Sequence, residues 1–121
     1  KKAIEWYEKA AKQGDADAQN NLGLMYDSGL GVDVNYKKAI EWYKKAAEQG
    51  DAQAQYNVGV MYEFGPQGVD QSDSMAMRWY AKADAQGDER AQVAIRELVS
   101  KRRGSPAATS SSSGAKKREG K

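Results

Sequence analysis

The sequence predicts an all-α fold: a solenoid of antiparallel helix pairs, about six helices, followed by a disordered C-terminal tail. Three observations carry this. Two blocks of residues alternate along the chain, and each returns after 36 residues, the length of one helix–turn–helix unit. Within the blocks, apolar residues fall at helical spacing and form one stripe. Between the blocks stand glycines and capping residues, the punctuation of helix ends and starts.

The first block is Ala3-Ile4-Glu5-Trp6-Tyr7-Glu8-Lys9-Ala10-Ala11-Lys12-Gln13-Gly14-Asp15. It returns as Ala39-Ile40-Glu41-Trp42-Tyr43-Lys44-Lys45-Ala46-Ala47-Glu48-Gln49-Gly50-Asp51, and more loosely from Ala76 to Asp88, which keeps Trp79, Tyr80, Lys82, Ala83, Gln86 and Gly87. The last offset is 37, and the extra residue falls in Gly65-Pro66-Gln67-Gly68-Val69-Asp70, set against Gly29-Leu30-Gly31-Val32-Asp33. Insertions belong in loops, so this segment is expected to be one. The second block is Ala18-Gln19-Asn20-Asn21-Leu22-Gly23-Leu24-Met25-Tyr26. It returns as Ala54-Gln55-Tyr56-Asn57-Val58-Gly59-Val60-Met61-Tyr62 and in degenerate form from Ala91 to Val99.

Helices are therefore expected near residues 2–13, 16–27, 36–49, 52–63, 73–86 and 89–100. Gly14, Gly50 and Gly87 suit the left-handed position past a helix end. Asp15, Asp51 and Asp88 suit N-caps, as do Asn35 and Ser72 for the other helix type. Helices this short are marginal alone in water, so stacking must stabilise them. The tryptophans and tyrosines of the stripes are expected in the core. A buried Trp removes roughly 150–250 Å² from water, on the order of 4–6 kcal/mol as an upper bound. Gly23 and Gly59 stand inside helices, where glycine costs about 1 kcal/mol against alanine. Close approach of a partner helix is the expected reason. Arg96 takes that position in the last copy, so the array is expected to close near residue 100. Gln19, Gln55 and Gln92 border the stripe, where a hydrogen bond to loop backbone is the expected role.

The chain divides into residues 1–100, a repeat array, and residues 101–121, a basic Ser-rich tail. The array holds 12 Lys/Arg against 16 Asp/Glu, the tail 7 against 1. The run Thr109-Ser110-Ser111-Ser112-Ser113-Gly114 is low in complexity and expected to be disordered. Its flanking clusters, Lys101-Arg102-Arg103 and Lys116-Lys117-Arg118, could attract nucleic acid or anionic lipid. No aromatic residues interleave with them, so a specific nucleic-acid reader is not expected. Arg102-Arg103-Gly104-Ser105-Pro106 has the look of a kinase substrate, where phosphate would reduce the positive charge.

The sequence contains neither Cys nor His, which excludes thiolate nucleophiles, imidazole bases and the usual zinc sets. No P-loop or dinucleotide fingerprint is present, and no carboxylate pair sits at a motif-defined spacing. No catalytic residue, metal site or cofactor is expected. No apolar run approaches the roughly 18 residues of a membrane span. The compartment is left open by the sequence, with cytoplasm as the working expectation.

The motif is Ala-x-Ala-Gln-x-x-Leu-Gly-x-x-Tyr, then Gly-x-Gly-Val, then Lys-Ala-x-x-Trp-Tyr-x-Lys-Ala-Ala-x-x-Gly. It resembles the Sel-one-like repeat, a relative of the tetratricopeptide repeat. The resemblance covers residues 2–100, closest over 16–51. It implies a right-handed superhelix of helix pairs and the work of an adaptor or scaffold for protein partners. Such arrays also occur beside catalytic domains, so a regulatory part of a larger protein is an alternative, as is a tether to nucleic acid or anionic membrane through the tail. The chain opens in the second helix of a repeat: a half repeat, two full repeats, then a degenerate terminal helix. Trp6 and Tyr7 are thus expected to be partly exposed, as in a stretch cut from a longer array. A monomer is expected, with a dimer through this open edge as the alternative.

The residues left free by the repeat are the candidates for binding. On a wheel of about 100° per residue, Asp17, Asn20, Leu24 and Asp27 gather opposite Leu22. Gln53, Tyr56, Val60 and Glu63 correspond in the next copy, then Arg90, Val93 and Glu97. The resemblance implies that this face lines the concave groove. A peptide, extended or helical, with or without basic residues, is expected to dock there with Tyr56 near the centre, since Tyr is common at hot spots.

Overall fold

The structure, a computed structural model, describes residues 2–102, with side chains from Ile4 to Lys101. It contains six α-helices: α1 (Lys2–Lys12), α2 (Ala16–Ser28), α3 (Tyr36–Glu48), α4 (Ala52–Phe64), α5 (Asp73–Ala85) and α6 (Glu89–Arg102). The expected all-α solenoid is what the chain forms. Each bound agrees with the sequence expectation to within a residue or two. The last helix runs two residues past the expected bound, to Arg102. The expectations for the rest of the tail, including Ser105 and the second basic cluster, lie outside the described residues.

The caps form as their residue types dictate. Asp15, Asn35, Asp51 and Ser72 sit in extended backbone, and each accepts a hydrogen bond from the amide three residues on. Asp88 accepts from the amides of Arg90 and Ala91. The chain turns after α1, α3 and α5 through Gly14, Gly50 and Gly87, whose φ of 98°, 98° and 89° lie where a Cβ would be strained. The inserted loop closes with the amide of Val69 on the carbonyl of Pro66.

Consecutive helices run antiparallel. The start of α2 meets the end of α1 where the Gln19 amide donates to the Ala11 carbonyl. The end of α2 returns toward the start of α1 where the Tyr26 hydroxyl reaches Glu8. Packing is chiefly between neighbours in sequence and is most extensive for α2 on α3 and α4 on α5. These two pairs are the full repeats. One core cluster joins α1 to α4 around Leu22, Tyr43 and Val58, and a second joins α4 to α6 around Tyr80, Ala91 and Leu98.

Trp42 and Trp79 are less buried than expected, while Trp6 and Tyr7 are exposed at least in part, as expected. Tyr43 and Tyr80 are 1% exposed, whereas Trp42 and Trp79 are only partly buried and Trp6 is 64% exposed. Successive helical residues point about 100° apart, so Trp and the adjacent Tyr cannot both lie at the centre of one stripe. Buried Ile40 and Ala47 draw the centre toward Tyr43 and leave Trp42 on the flank. Trp6 packs edge-on against Tyr7, ring centroids 5.3 Å apart, with its remaining surface open.

Candidate functional site

The face singled out by the sequence belongs to α2, α4 and α6. Two contacts set these helices side by side. The Asn57 amide donates to the Asn20 carboxamide oxygen at 3.0 Å, joining α4 to α2. The Arg90 guanidinium of α6 lies over the Tyr56 ring of α4, 4.4 Å from its centroid. The wheel alone placed Asn20 and Tyr56 on a solvent face; the neighbouring repeat occupies part of it.

Asn20 is accordingly buried, at 4% exposed, and its position is a clasp between repeats. Tyr56 is half-buried: Tyr80 lies 5.7 Å from its ring centroid, and Arg90 covers it as well. Val60 packs with Tyr56 against the second core cluster. Leu24 and Val93 are the apolar residues of the set with open surface, 36% and 43% exposed. Asp17, Gln53, Arg90 and Glu97 are exposed beside them. Arg90 also pairs with Asp88 at 3.1 Å.

Asp27 and Glu63 have a second role that the sequence did not disclose. Asp27 accepts a hydrogen bond from the Tyr43 hydroxyl at 3.1 Å, and Glu63 accepts one from the Tyr80 hydroxyl at 2.7 Å. Both tyrosine rings press against the preceding helix at its glycine. A Cβ on Gly23 would fall 2.4 Å from the Tyr43 ring, and one on Gly59 2.5 Å from the Tyr80 ring. The expected reason for the helix glycines is thereby met: each is the floor on which a tyrosine rests. Burial, and then the nearby Asp27 carboxylate, push the Tyr43 phenol well above its usual range. Burial, then the bond and charge of Glu63, do the same at Tyr80, with smaller contributions from Tyr56 and Glu97. Both hydroxyls therefore stay protonated donors at neutral pH. The signal that could have found this lock was the recurrence of an acid at the end of each second block, Asp27 and Glu63, sixteen and seventeen residues before the repeated Tyr.

The repeated glutamines form a second lock. Gln19 and Gln55 donate to the carbonyls of Ala11 and Ala47, in the last turns of the preceding helices. Those carbonyls also accept the amides of Gly14 and Gly50, so the backbone bond is made, but to the last turn of a helix and not to the loop. Each glutamine also accepts from the glutamine ending its own repeat: Gln49 to Gln19 at 2.8 Å, Gln86 to Gln55 at 2.9 Å. Gln92 is half-buried on α6, and Arg96 is exposed.

A Sel1 repeat profile matches residues 1–15, 16–51 and 52–88. Among solved structures, the chain is similar to a Sel1 repeat protein from Oxalobacter formigenes, with 40% identity over 78% of this chain and 70% of that one and a TM-score of 0.74. It is also similar to a protective antigen of uropathogenic Escherichia coli strains that displays an SLR fold, with 35% identity over 82% of this chain and a TM-score of 0.77. The chain spans 21% of that antigen's length. A third likeness is to the cysteine-rich protein B of Helicobacter pylori, at 26% identity, 73% of this chain, 65% of that one and a TM-score of 0.68. No curated protein matches the chain. Sel1 repeat proteins are generally protein-interaction scaffolds and generally non-catalytic. With the profile covering both full repeats and most of the half repeat before them, the chain belongs to the Sel1 repeat family.

Proposed function

We propose that this array is a non-catalytic scaffold that holds a protein partner on the face of α2, α4 and α6. The observation that carries the reading is a division of labour. The repeated residues are consumed by packing: glycine under tyrosine, glutamine to glutamine. Leu24 and Val93 are instead 36% and 43% exposed, although neither is needed by a stripe. They flank half-buried Tyr56 and Val60, with Asp17, Gln53 and Glu97 around them. An apolar strip inside a polar border is the usual anatomy of an interface.

The test uses positions that folding does not need. Tyr56 and Val60 contribute to the core, so their removal would perturb the fold as well as the surface. Leu24→Asp with Val93→Asp leaves the core clusters intact. Proteins captured by the wild-type chain are expected to be lost by this double variant while its circular dichroism stays unchanged. Retention of the same proteins would refute the assignment of the face. The chain acts as a monomer in this reading, with Trp6 at an open edge; light scattering that shows concentration-dependent dimers would argue for the edge as an interface.

A further inference from the structure

The lysines from Lys2 to Lys82 all lie on α1, α3 or α5. Helices α2 and α4 carry no Lys or Arg, and their charged residues are Asp17, Asp27 and Glu63. The two layers of the solenoid thus differ in kind. One is mixed in sign, and the other, across its two full repeats, is purely acidic. The tyrosine bonds do not neutralise this acid. Each carboxylate of Asp27 and Glu63 accepts one bond from a phenol and retains capacity for others. Helix α6 is mixed in sign, with Glu89 and Glu97 beside Arg90, Arg96 and Lys101, and of these Glu97 is close enough to act electrostatically on Tyr80.

From this segregation we infer that the partner surface received by α2, α4 and α6 is a basic amphipathic segment, its apolar residues on Leu24 and Val93 and its Lys or Arg side chains toward Asp17, Glu63 and Glu97. The inference rests on the docking reading above and adds the sign of the partner. A guanidinium is already accommodated on this face, where Arg90 lies 4.4 Å from the Tyr56 ring centroid. An acidic segment would meet like charge along α2 and α4 and would be turned away.

The experiment uses the full chain, isotope-labelled for amide NMR, and two short synthetic peptides. The peptides share one leucine pattern; one carries lysines between the leucines and the other glutamates. The lysine peptide is expected to shift the amides around Leu24, Val60 and Val93 and to bind more weakly as salt rises. Asp17→Asn with Glu97→Gln is expected to weaken it about tenfold, as two partly screened ion pairs are lost. Equal binding of both peptides on this face overturns the inference and leaves the docking reading standing. Shifts confined to α3 and α5, or no shifts at all, also overturn it; the docking reading is then judged separately by capture with the Leu24→Asp, Val93→Asp variant. The chain's own tail is a rival occupant. If Lys116→Gln, Lys117→Gln and Arg118→Gln together move the same amides without any peptide, the face is self-occupied and the inference of an external partner fails.

Discussion

Gly23 and Gly59 test the account at the scale of single residues. In an exposed helix interior, Gly→Ala stabilises by about 1 kcal/mol. Here the added methyl would meet a tyrosine ring at 2.4 or 2.5 Å, and overpacking costs about 1–3 kcal/mol. Gly23→Ala is expected to lower stability by that amount in urea titration, opposite in sign to the propensity effect. The tyrosines above these glycines give a pH signature. Their folded-state phenols titrate above the ordinary value near 10, because burial and then Asp27 or Glu63 disfavour the phenolate. The raised group favours folding fully below that ordinary value, and its contribution is lost progressively as pH rises from there toward the raised folded-state value. Thermal stability is therefore expected to fall above about pH 10, with a shallower fall for Tyr43→Phe. An identical alkaline profile in Tyr43→Phe would assign the loss to other groups.

At the scale of elements, the caps and the links between repeats are separable. Asp51→Ala removes the acceptor for the Ala54 amide and is expected to cost about 1 kcal/mol. Asn20 and Asn57 should behave as a pair. Because Asn20 is buried, leaving either partner alone strands a polar group. A double-mutant cycle with alanine is expected to give a coupling of about 0.5–1.5 kcal/mol; additive costs would mean that the clasp is not made in solution. The elements themselves were legible in the sequence, because the cause of each helix is local. The stripe at period 3.6, Asp15 and Asp51 at the starts and Gly14 and Gly50 at the ends all act within a few residues. The Asn20–Asn57 clasp was not legible. It spans 37 residues, and its geometry depends on how one helix pair leans on the next. For the same reason Tyr56 read as a free anchor, although Tyr80 and Arg90 cover its ring. The even spread of core duty between Trp and Tyr was also a misreading, since adjacent residues of a helix cannot share the centre of one stripe.

At the scale of the molecule, the locks repeat with the period and tie each unit to the next. Tyr43, Tyr80, Gln49 and Gln86 hold the pairs together, and Gln19, Gln55 and the Asn20–Asn57 clasp hold one repeat to its predecessor. Nearest-neighbour stabilisation of this kind makes repeat arrays lengthwise modular. In the proposed reading the partner takes the positions that the locks leave open. The face of α2, α4 and α6 is partly spent on such contacts, at Asn20, Asp27 and Glu63, and partly open, at Leu24, Val93, Asp17 and Glu97. The central claim is that a partner occupies the open part. Hydrogen–deuterium exchange of the chain with and without a captured partner tests it most directly. The account predicts slowed exchange in peptides covering residues 16–28, 52–64 and 89–101, with 36–48 and 73–85 unchanged. Protection concentrated in those last two stretches would contradict it.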